Sequence, residues 1–112
     1  MPLPHSARGT GLMKIRTAHP RLYFDANAEL ASRSFALVRG TLDDLQALGL
    51  TPEQALGARF TFVQEDAGVN GEPDALLFDG TIAHSAALGF FALADPGGIR
   101  WLSDRPDSED DR

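Results

Sequence analysis

Arg59-Phe-Thr-Phe-Val-Gln-Glu65 alternates apolar and polar residues as a half-buried strand does, with Phe60 and Phe62 on one face and Arg59 and Thr61 on the other. The next eight residues, Ala67-Gly-Val-Asn-Gly-Glu-Pro-Asp74, read as a loop: Asn70-Gly71 tolerates positive φ, and Pro73 cannot donate to a central ladder. The chain then turns back into a second run, Ala75 to His84, with Leu76, Phe78 and Ile82 on one face. Leu77 lies between them and is also apolar, so part of this strand is covered on both sides. Gly80 at its middle predicts a bulge, a bend or a close backbone approach. A third run, Leu88 to Ala94, leads to Asp95-Pro96-Gly97-Gly98, which reads as a type II turn with positive φ at Gly97, and Ile99 to Ser103 completes the set. Turn signals about ten residues apart predict an all-β meander that closes or nearly closes.

Outward from this stretch the signals are shorter. Arg21 to Phe24, after Pro20, has the character of an edge strand; Asp25 to Ser32 reads either as a brief helix capped by Asp25 or Asn27 through Glu29 and Leu30 or, preferentially, as a loop; and Ser34 to Arg39 reads as a strand ended by Gly40. Thr41 to Leu48 predicts a helix capped by Thr41, favoured at its start by Asp43 and Asp44, closed by Gly49, and covering the sheet with Leu42, Leu45 and Leu48. Thr51-Pro-Glu-Gln54 carries a capping box for a second, very short helix ending at Gly57. The expected fold is mainly β with minor α: a small antiparallel barrel or strongly twisted sheet of about six strands, with one or two short helices. Strand number and turn spacing resemble an SH3-like barrel; the resemblance is architectural and implies no function.

A chain of 112 residues forms one domain and buries roughly 60% of its unfolded surface, enough for one modest core. Residues 1–13 read as a disordered leader, with Met13 an alternative start, residues 14–104 as the β-rich domain, and residues 105–112 as a disordered acidic tail. With no cysteine, disulfides, thiolate zinc sites and thiol catalysis are excluded. No run approaches the ~18 apolar residues of a membrane helix, and no secretory signal begins the chain, so a cytoplasmic protein is expected. Residues 25–102 hold eleven acids and four arginines, and this negative body argues against nucleic-acid binding, which needs clustered positive charge.

Three groups of residues are candidates for function. Asp66, Asn70 and Asp74 fall at the first, fifth and ninth positions of a calcium-loop pattern, with Gly71 at the sixth and Glu65 and Glu72 nearby. Gly68 at the third position and Leu77 at the twelfth break the pattern, and a plain turn-rich hairpin loop explains the same residues. His84 shares a strand face with Phe78 and Ile82, while its neighbour Ser85 and Asp79 lie on the other face, so the sequence places no catalytic partner beside it. Phe90 and Phe91, like Trp101 and Leu102, are adjacent and face opposite ways, so both sheet faces ask to be covered. The uncovered part is either filled by the N-terminal strands or forms an interface through Phe90, Phe91 and Trp101 with a protein partner or a second copy.

The reading that follows is a noncatalytic interaction or regulatory domain, without cofactor. The alternative is a small divalent-ion-binding domain or an enzyme using the acidic loop 65–74 and His84, and a pure accessory fold is a third. If calcium is bound, it raises the melting temperature of the wild type and not that of the Asp66→Ala, Asp74→Ala double variant; a wild type that does not respond to calcium removes the site.

Overall fold

The alternation at Phe60 and Phe62 becomes β4 (Arg59–Ala67), which pairs antiparallel along its whole length with β5 (Pro73–Ser85), from Arg59 opposite Thr81 to Ala67 opposite Pro73. The computed structural model describes residues 17–67 and 73–102, so the expected leader 1–13 and acidic tail 105–112 lie outside the described residues. Before β4 come β1 (Arg21–Tyr23), a 3-10 turn (Ala26–Ala28), β2 (Glu29–Ala31), β3 (Ser34–Ala36), α1 (Arg39–Ala47) and α2 (Pro52–Ala55); after β5 come β6 (Gly89–Ala94) and β7 (Arg100–Trp101). The fold is mainly β. Its strands form one open, twisted sheet in the order β1-β4-β5-β6-β3-β2, with β7 also on β5.

Chain length forces this sheet to roll. Laid flat, six strands in that order would hold β1 and β2 about 24 Å apart at about 4.8 Å per spacing. The link from Tyr23 to Glu29 reaches at most about 21 Å when fully extended, and much of it is wound into the 3-10 turn. The two edges of the sheet are therefore drawn together across that turn. Asp25 caps it by accepting the Asn27 N–H at 2.9 Å, and Gln64 Oε1 on β4 accepts the Ala26 N–H at 2.7 Å.

Inside the roll the Phe78 ring stacks on Phe62 at 4.7 Å and on Phe35 at 5.5 Å, and meets Phe24 edge-on at 4.8 Å. Phe24 follows β1 and Phe35 lies on β3, so Phe78 on β5 joins strands that share no hydrogen bond. Leu22, Leu45, Phe60, Ile82 and Ala92 complete this buried core. The other face of β4 and β5 buries a smaller group, Val63, Ala75 and Leu77, against which Leu102 packs. The covering of Leu77 opposite Phe78 is thus as the sequence predicts. Gly80 makes the close approach expected of it, because a Cβ there would run into the Leu93 carbonyl oxygen of β6.

Several local expectations change. β1 pairs parallel with β4, which makes the sheet mixed. The segment from Asp25 to Ser32, read preferentially as a loop, contains a 3-10 turn capped by Asp25, closer to the helical alternative, and then β2. β7 does not return along β6: both pair antiparallel with β5 on successive stretches, β6 from Gly80 to Ser85 and β7 at Leu76 and Leu77. Asp95 to Ile99 is therefore an excursion between two parts of one edge, and the positive φ falls on Gly98 (77°) in place of Gly97. α1 begins two residues before Thr41, with Val38 at its N-cap, so Asp43 and Asp44 lie beyond its first turn. Thr41 and Leu45 face the core, whereas Leu42 and Leu48 are 40% and 47% exposed. The predicted closure of α1 and the predicted start of α2 hold. Gly49 (φ 79°) and Leu50 donate to Gln46 and Leu45, and Thr51 and Gln54 exchange both capping-box bonds. No helix among the described residues is long and apolar enough to cross a membrane.

Replacing Phe78 with alanine removes three ring contacts and opens a cavity, a loss of about 3–5 kcal/mol, a large share of the ~5–15 kcal/mol that holds such a domain together. Urea unfolding followed by circular dichroism should show that loss for Phe78→Ala and a smaller one for Phe78→Leu. A loss below about 1 kcal/mol, within the range of ordinary surface changes, would contradict the central place given to this ring.

Candidate functional site

The chemistry on the sheet gathers on its outer face, opposite the phenylalanine core, where Thr61 and Asp79 are register partners on β4 and β5. Thr61 is fully buried and its hydroxyl donates to Asp79 Oδ1 at 2.6 Å. Beside them is a cleft of about 240 Å³ lined by Thr17, Ala18, Thr61, Leu77, Asp79, Arg100 and Leu102. The path of the neighbouring edge explains why space exists there. The Asp95 N–H donates to the Asp79 carbonyl at 2.9 Å; the chain then leaves β5 and rejoins it only where Arg100 stands opposite Leu77.

At the rim of this region Arg59 grips Asp95 through two bonds of 2.8 and 2.6 Å, tying the start of β4 to the excursion. The hydrogen bond from Arg59 is the main reason that the Asp95 carboxyl is held below its ordinary value, and the same bond raises Arg59. Arg59 also feels the Asp79 charge. Among the described residues Arg100 forms no ion pair, in contrast to Arg21, Arg39 and Arg59, and Asp79 Oδ2 accepts no hydrogen bond.

The described residues among those singled out by sequence lie at separate places on the sheet. Asp66 and Asp74 are register partners at the far end of the β4–β5 ladder, and Asn70 and Glu72 lie outside the described residues. The Asp74 side chain is buried and accepts the Ala75 N–H at 2.8 Å, while Glu65 contacts Arg21 at 3.4 Å. Among the described residues no three acidic or histidine side chains converge as metal ligands would. His84 is exposed and lies edge-on to Phe90, its register partner, at 4.7 Å. The Ser85 hydroxyl accepts the Leu88 N–H in the β5–β6 turn. Asp79 stands five residues from His84 along β5, roughly 17 Å at the rise of a strand, so the structure does not bring them together.

Phe90 packs against the core, Phe91 is 8% exposed on the other face beside Ala36 and Ala83, and Trp101 is half-buried opposite Leu76. Sequence reasoning named Asp79 and missed its surroundings. The facing of Thr61 and Asp79 follows from the β4–β5 register, and no local signal announces that Arg100 returns to β5. No family model, curated protein or solved structure matches the chain.

The lowered Asp95 carboxyl sets the sign of a pH effect. Its contribution to stability is complete above the ordinary carboxylate value of 3.8 and is lost as pH falls through the lower folded value. Both partners are substantially exposed, so the effect is small and screened by salt. Asp95→Asn should melt slightly below the wild type at neutral pH, with the gap closing in strong acid and in high salt; a gap that persists in acid would assign Asp95 a different role.

Proposed function

We propose that this chain is a noncatalytic β-rich interaction or regulatory domain, and that the partner surface includes the edge strand β2. The observation that supports this reading is the contrast between the two ends of the sheet. At β1 the outward backbone groups of Tyr23 are both taken by α1: its N–H donates to Asp44 Oδ2 at 2.8 Å, and its carbonyl accepts the Thr41 hydroxyl at 2.8 Å. All three residues of β2 are exposed, including Leu30 at 43%. An uncovered edge is a template for a strand from another chain, and an apolar side chain on it adds contact area. β2 is short and its register is irregular between Glu29 and Ala31, which limits the pairing to a weak, reversible contact. A second copy of the chain is the simplest partner.

The alternative, a divalent-ion-binding domain, has one observation in its favour. The register sets Asp66 opposite Asp74, so two acidic residues of the calcium-loop pattern stand at paired positions of the ladder.

Light scattering coupled to size-exclusion chromatography tests both readings on the full chain. The expected result is a mass that rises with concentration for the wild type and stays monomeric for Leu30→Lys, with unchanged circular dichroism. A wild type that is monomeric throughout sinks pairing between copies, and a mass that changes only with calcium supports the alternative.

A further inference from the structure

The outer-face cleft carries two charges that no ion pair neutralises among the described residues. Asp79 is oriented by the buried Thr61 hydroxyl through Oδ1, which leaves Oδ2 without a hydrogen bond among the described residues, and Arg100 lines the same cleft with no ion pair among them. Arg100 stands opposite Leu77, two residues before Asp79 on β5, so carboxylate and guanidinium belong to diagonal positions on one face. Arg59 and Asp95 neutralise each other beside them. A lone cation or a lone anion would therefore meet a like charge here, whereas a molecule bearing both charges would meet two opposite ones. Most of the lining is polar, and its apolar part comes from Leu102 and from Leu77, which is itself buried. The volume of about 240 Å³ lies below the range of pockets for drug-sized ligands.

We propose that this cleft binds a small zwitterion, a free α-amino acid, its ammonium group on Asp79 and its carboxylate on Arg100, with its side chain beside Leu102. The space it enters exists because the edge of the sheet is interrupted between Ala94 and Arg100, leaving Asp79 with no side neighbour from a continuous strand. Binding here does not depend on strand pairing at β2, so the two proposals stand or fall separately.

The test is a titration of the isotopically labelled full chain with L-leucine, followed by backbone amide shifts. Saturable shifts are expected at Thr61, Leu77, Asp79, Arg100 and Leu102. Asp79→Asn and Arg100→Gln should each weaken binding at least tenfold, while Arg39→Gln on α1 leaves it unchanged. 4-Methylpentanoate, which is leucine without its ammonium group, and isopentylamine, which is leucine without its carboxylate, should each bind at least tenfold more weakly than leucine. Asp79→Asn retains an oxygen for Thr61; if it nevertheless fails to fold, Arg100→Gln at the exposed strand end decides alone. The proposal is overturned by the absence of saturable shifts, by a single-charge analogue that binds as well as leucine, or by a folded Arg100→Gln that binds like the wild type.

Discussion

The architecture depends on one short connection and one ring. Because β1 and β2 occupy opposite ends of the sheet yet are joined by a few residues, the strands cannot lie flat, and the rolled sheet must be filled from within. Phe78 does this from the middle of β5, meeting Phe62 on the neighbouring strand and reaching Phe24 and Phe35 from the two ends of the roll. The geometric demand and the packing agree, which is the consistency expected of a sequence that specifies one structure. Gly80 belongs to the same arrangement. By keeping side-chain atoms away from the Leu93 carbonyl, it lets β5 pass from its ladder with β4 to its ladder with β6 without a register break.

Rolling leaves a seam, and its two sides are treated differently. On the β1 side, α1 turns polar groups toward the strand: Thr41 and Asp44 satisfy the carbonyl and N–H of Tyr23, and Gly40 lies so near the Tyr23 ring that a Cβ would come within 2.7 Å of it. The helix thus acts as an edge cover as well as a contributor to the core, and this accounts for the burial of Thr41 where a leucine stripe would suggest Leu42 or Leu48. On the β2 side, among the described residues, brevity and irregular pairing limit further strand addition.

What could be read from the sequence was whatever is decided within a few residues. The strand alternation at Arg59 to Glu65, the two-sided burial at Leu77 and Phe78, the Thr51–Gln54 capping box and the Gly49 closure all follow from local periodicity or backbone chemistry, and each is found in the fold. The parallel pairing of β1, the orientation of α1 and the return of β7 to β5 are choices among distant partners, and an apolar tripeptide carries no label for which edge it will join. The cleft was illegible for the same reason, since Asp79 and Thr61 come from a readable hairpin while Arg100 arrives through a pairing that no nearby residue determines.

The exit of β6 shows how such a non-local arrangement is held once made. Arg33 adopts a left-handed conformation (φ 62°), which costs a non-glycine residue about 1–2 kcal/mol. In that position its carbonyl accepts the Ala94 N–H at 2.8 Å and its guanidinium donates to the Ala94 carbonyl at 2.8 Å, so both backbone groups of one residue are held by one neighbour. The next residue, Asp95, is fixed by the Asp79 carbonyl through its N–H and by Arg59 through its carboxylate. Two consecutive residues are thereby pinned from two strands, β4 and β5, and from the turn between β2 and β3 immediately before the chain leaves the sheet. The place where the edge breaks is therefore set by bonds on its near side, and the gap beside Asp79 is a consequence of that anchoring, independent of the conformation the excursion takes.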